Sequence, residues 1–68
     1  MKYTDNTQFI EYVKQLVGKK IIFKLTDDED DEGLIGTLKQ FNKNLIIERD
    51  GVELIIEVYE LYFIEEYK

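Results

Sequence analysis

The sequence predicts a mainly β protein: an N-terminal α-helix followed by a five-stranded, strongly bent antiparallel sheet. Three observations predict it. Apolar residues recur with a helical period before Gly18 and with a period of two after it. Short breaks, Asp50-Gly51 the clearest, cut the second part into five runs. Gly36 stands in the middle of the second run, where a sheet bends or bulges sharply.

The helix is expected over about residues 5–17. Phe9, Ile10, Val13, Leu16 and Val17 share one helical face, Asp5 and Gln8 have the spacing of a capping box, and Gly18 is placed to end the helix. The first strand, about 19–26, sets Ile21, Phe23 and Leu25 on one face and Lys20, Ile22 and Lys24 on the other. A second strand covers about 33–42 and a third 44–49. The Asp50-Gly51 turn then leads into a fourth, about 52–58, in which Val52, Leu54, Ile56 and Val58 alternate. After Tyr59-Glu60 a fifth strand covers about 61–67. With such short connections the strands read as a meander. In a meander the Asp27–Glu32 turn shares one end with Asp50-Gly51, and the Asn42–Asn44 and Tyr59 loops share the other.

Length and charge bound what this domain can do. The chain of 68 residues is expected to form one domain, 1–68, and a domain this small buries only about 60% of its unfolded surface. With no cysteine there is no disulfide to help, so association with other chains becomes an expected stabiliser. Strands four and five are apolar on both faces, and Leu54, Ile55, Ile56, Val58, Leu61, Tyr62, Phe63 and Ile64 are the expected oligomer interface. The net charge of −6 repels phosphate and anionic membranes in general. No signal-peptide pattern and no bilayer-spanning run is present, so an intracellular, cytoplasmic protein without membrane contact is expected.

Catalysis is not expected. The chain lacks serine, histidine and cysteine, so the common nucleophile–base pairs cannot be built, and no glycine-rich phosphate loop is present. No cofactor is implied. The run Asp27-Asp28-Glu29-Asp30-Asp31-Glu32 can be laid on a calcium loop with Asp28, Asp30 and Glu32 as early ligands and Gly33 as the turn glycine. The closing bidentate glutamate is then Lys39 and the flanks are strands, so no metal is assigned and a solvated, mutually repelling, extended loop is expected. Lys19, Lys20 and Lys24 read as a solvated basic group with no aromatic interleaved. The tyrosines, Tyr3 among them, read as packing residues with wet hydroxyls.

The arrangement resembles the Sm-like (LSm and Hfq type) family of small β-barrels. Gly18, Ile21, Phe23, Leu25, Gly36, Leu38, Phe41-Asn42 and Asn44-Leu45 follow its first motif. Ile56-Glu57-Val58, Tyr59-Glu60 and Leu61-Tyr62-Phe63-Ile64 match the length of its second. The resemblance implies a homo-oligomeric ring of about five to seven copies joined through strands four and five, holding single-stranded RNA at or near the pore. It places Asn42, Lys43, Asn44 and Tyr59 nearest that RNA. Asn44 would bond a base edge, Lys43 would meet phosphate and Tyr59 would stack. Glu57 stands where the family carries a basic residue, which opposes the usual uridine pocket. The chain is also similar to the C-terminal barrel of bacterial ribosome-maturation factors of the RimP type, and a protein-interaction module without RNA binding is the alternative expectation.

Overall fold

The computed structural model describes residues 7–68, in which one helix precedes five strands. The helix, α1, runs Thr7–Gln15. Phe9, Val13 and Leu16 are buried, whereas Val17 at the end of the expected stripe is 41% exposed. The cause is local. The Leu16 N–H donates to the Val13 carbonyl and the Lys19 N–H to the Leu16 carbonyl, both at 2.9 Å, three residues back instead of four. This tightening ends the helix early and turns Val17 off the buried face. Gly18 follows with φ +89°, and its N–H donates to the Leu38 carbonyl at 2.6 Å, tying the helix end to the sheet. The expected helix start at residue 5, the Asp5 cap and Tyr3 lie outside the described residues.

The strands are β1 Lys20–Lys24, β2 Leu34–Phe41, β3 Asn44–Arg49, β4 Val52–Glu57 and β5 Phe63–Glu66. They form one antiparallel sheet in the order β4-β3-β2-β1-β5. β1 to β4 are the expected meander, closed between β3 and β4 by Asp50 and Gly51, both at positive φ. The fifth strand departs from it. β5 crosses to the far edge and pairs with β1, Phe23 opposite Ile64 and Ile21 opposite Glu66. Among the described residues no ladder joins β4 to β5, so the sheet is open and not a closed barrel.

Residues 58–62 make this crossing. Val58–Glu60 form a single 3₁₀ turn, and Leu61 follows in extended conformation, 1% exposed. The Tyr62 N–H then donates to the Lys24 carbonyl at 2.9 Å, delivering the chain to the carboxyl end of β1. Leu61 and Tyr62 are therefore not part of the expected strand 61–67. The connection leaves the sheet at Glu57, opposite Asn44, and re-enters at Phe63, opposite Lys24. It spans both ends of the sheet instead of sharing one with Asn42–Asn44.

Ile21, Phe23, Leu38, Leu45 and Ile47 are completely buried, and Phe9, Val13 and Leu16 of α1 join the same cluster. The curvature of this core comes from Gly36. A Cβ there would lie 2.7 Å from the Glu48 carbonyl oxygen and 2.8 Å from Ile47 Cγ2, so β3 closes onto β2 only because no side chain intervenes. The bulge itself falls further along, between Leu38 and Gln40, where the β2–β3 register shifts. The Gly36→Ala substitution is expected to cost about 2 kcal/mol or more, because backbone, and not a flexible tip, must yield. Urea unfolding of the two chains measures it, and a loss too small to detect would show that the close approach is not what bends the sheet.

Candidate functional site

The β2–β3 connection is two exposed residues, Asn42 and Lys43. The Asn42 N–H donates to the Asn44 carbonyl at 3.2 Å, which tightens the turn and leaves Lys43 at its tip. Lys43 makes no ion pair with any described residue. Asn44 opens β3, half-buried, and lies directly opposite Glu57 on β4. The 3₁₀ turn starts from that glutamate: the Glu57 N–H donates to Glu60 Oε1 at 3.0 Å. Tyr59 rides on this turn, 56% exposed.

The Tyr59 hydroxyl is tied to its neighbours. A hydrogen bond to the Glu57 carboxylate, and then the negative charge of Glu57, hold its pKa above the ordinary tyrosine value. The fold therefore gathers Asn44, Glu57 and Tyr59, with Lys43 one residue away in the chain. Glu57 has two local tasks: it starts the 3₁₀ turn and holds the Tyr59 hydroxyl in its neutral form.

The expected interface residues separate into two groups. Ile56, Leu61 and Ile64 are buried in the chain's own core. Their side chains belong to the cluster that the sheet and α1 enclose. Leu54, Val58, Tyr62 and Phe63 are half-buried, and Ile55 is 69% exposed on the outer face, opposite Ile46.

The acidic run is not an extended loop held open by repulsion. Its side chains bond back to its own backbone. The Asp30 N–H donates to Asp28 Oδ1 at 2.9 Å and the Gly33 N–H to Asp31 Oδ1 at 2.8 Å. The Thr26 hydroxyl donates to Asp31 Oδ2 at 3.1 Å. Each carboxylate so engaged offsets its repulsion with a charge-assisted bond. Among the described residues no three carboxylates come together as a metal site.

One cluster escaped the reading of the sequence. Lys20 Nζ stands 5.2 Å from the centre of the Tyr67 ring and Lys24 Nζ 6.0 Å from that of Phe63. The basic group of β1 is interleaved with aromatics after all. A signal was present: Lys20 and Lys24 are four residues apart, as are Phe63 and Tyr67, the spacing that keeps residues on one face of extended chain.

Compared with known proteins, the chain matches no family model, no curated protein and no solved structure. No helix among the described residues is long and apolar enough to cross a membrane.

The Tyr59–Glu57 contact predicts a titration. Tyr59, identified by difference against Tyr59→Phe, ionises above the ordinary tyrosine range, and Glu57→Gln brings it down. The raised pKa favours the neutral hydroxyl, so the contact stabilises the fold fully below the ordinary tyrosine value and is lost as pH rises through the raised one. An unchanged titration in Glu57→Gln would separate the two side chains.

Proposed function

We propose that the chain is an Sm-like subunit that assembles with copies of itself into a ring of about five to seven, and that this ring binds single-stranded RNA, weakly or selectively, near its pore. One observation carries the reading: the sheet order leaves β4 and β5 as its two edges, each paired on one side only. These are the strands through which Sm-like subunits join. Two different edges on one copy make a head-to-tail contact, and such contacts form a ring where the rotation between copies closes. Leu54, Ile55, Val58 and Tyr62 offer side chains to that joint, while Ile56 and Ile64 offer only their backbone and the Phe63 ring stays beside Lys24 on the outer face. The RNA would meet Lys43 through phosphate, Asn44 through a base edge and Tyr59 through stacking, with Asn42 adjoining.

A second reading is a protein-interaction module that binds no RNA. It is favoured by the two carboxylates of Glu57 and Glu60 around Tyr59, against the single cation of Lys43. Light scattering at micromolar concentration tests the assembly. The expected mass is a multiple of the 8.2 kDa chain, and a monomer refutes the ring. Titration with U-rich and A-rich oligonucleotides at low salt tests the RNA. Glu57→Lys is expected to tighten binding about tenfold by supplying one charge-assisted contact. Failure of both wild type and Glu57→Lys to bind leaves the protein-interaction reading.

A further inference from the structure

The outer face of β1 and β5 differs in character from the rest of this acidic protein. Along β1 the residues facing outward are Lys20, Ile22 and Lys24. β5 sets Glu65 opposite Ile22 and Phe63 opposite Lys24, and the Tyr67 N–H donates to the Lys20 carbonyl at 2.9 Å. Cation and aromatic thus stand together twice, with an apolar step between. Lys20 and Lys24 are about 13 Å apart by strand rise.

These two lysines have no carboxylate partner among the described residues. Lys19 is paired with Glu66 at 3.8 Å and Lys39 with Glu48 at 3.5 Å. The Lys20 and Lys24 ammonium groups instead lie over ring faces, a weak attachment that leaves donors free for an incoming anion. Tyr67 is 41% exposed and Phe63 is half-buried, so both rings keep surface accessible.

The geometry points to a single-stranded nucleic acid site on this face, separate from the Asn44–Tyr59 cluster and independent of the ring. Phosphates meet Lys20 and Lys24, and bases stack on Tyr67 and Phe63. Cations on one strand beside rings on the next supply the two contacts that sequence-tolerant single-strand binding uses. A folded acidic partner would use the lysines but leave the spacing of the rings without purpose. Glu65, between the two pairs, opposes phosphate and limits the affinity.

Fluorescence anisotropy with a labelled oligo-dT and a labelled oligo-U, across a salt series, tests the site. Lys20→Gln with Lys24→Gln is expected to weaken binding at least about tenfold and to flatten the slope of log K against log salt by about 1.4, the release expected from two single-strand phosphates. Tyr67→Ala weakens it at least about fivefold through lost stacking. Glu65→Gln tightens it, a gain that a destabilised chain would not show. If Tyr67→Ala leaves affinity unchanged, the face is a simple polyanion binder and the inference is overturned. If Lys43→Ala abolishes binding while the lysine pair on β1 has no effect, this site falls and the pore reading stands. The reverse result supports this site and removes the pore contact. No binding of either oligonucleotide by the wild-type chain at low salt overturns both.

Discussion

The ladder between β1 and β5 is the contact on which the rest of this structure depends. It sets β1 between β2, the next strand in the chain, and β5, the last. It forces the chain to leave β4 and carry Leu61 through the core to reach Lys24. It also leaves β4 and β5 as the two open edges of the sheet. With β5 returned beside β4, the edges would be β1 and β5, and Phe63 and Tyr67 would not lie beside the lysines of β1. Both functional readings therefore follow from one pairing, Ile21 opposite Glu66 through Lys24 opposite Phe63.

Charge is partitioned over this frame by local chemistry. The six carboxylates of Asp27 to Glu32 carry as much negative charge as the whole chain has in excess. Their effect is contained by bonds within the loop and by screening over roughly 8 Å at physiological salt. The meander would have set this loop at the end of the sheet away from Tyr59. The crossing keeps Tyr59 beside Glu57, opposite Asn44, and brings only Tyr62 and Phe63 back to Lys24, three residues before Asp27. Asn42, Lys43 and Asn44 remain at the other end. The acids closest to the candidate RNA contacts are Glu57 and Glu60, and the fold uses Glu57 to start the turn that displays Tyr59.

Much of the fold was legible because short-range rules governed it. The change of period at Gly18, the positive-φ turn at Asp50-Gly51 and the bounds of β3 all follow from side-chain alternation and backbone sterics over a few residues. The role of Gly36 was half legible. A glycine in a strand signals a bend, but whether the bend is a bulge or a close approach depends on the strand that crosses it, here Glu48 and Ile47. The interface residues show the same limit. Ile55 and Ile56 are alike in composition, and only the register of β4 on β3 sends one outward and the other into the core.

By itself the sequence determined the kinds of element, their order, the acidity of the β1–β2 loop and the lack of the side chains that the commonest catalytic sites need. These are properties of neighbours in the chain, set by period, turn stereochemistry and composition. Only the tertiary structure decided that β5 pairs with β1 and that Lys20 and Lys24 meet Tyr67 and Phe63. Those partners lie many residues apart, and hydrophobic alternation is equally satisfied by β5 on either edge. The choice belongs to the burial of Leu61 and the backbone bonds at Lys20 and Lys24, which exist only once the chain has folded.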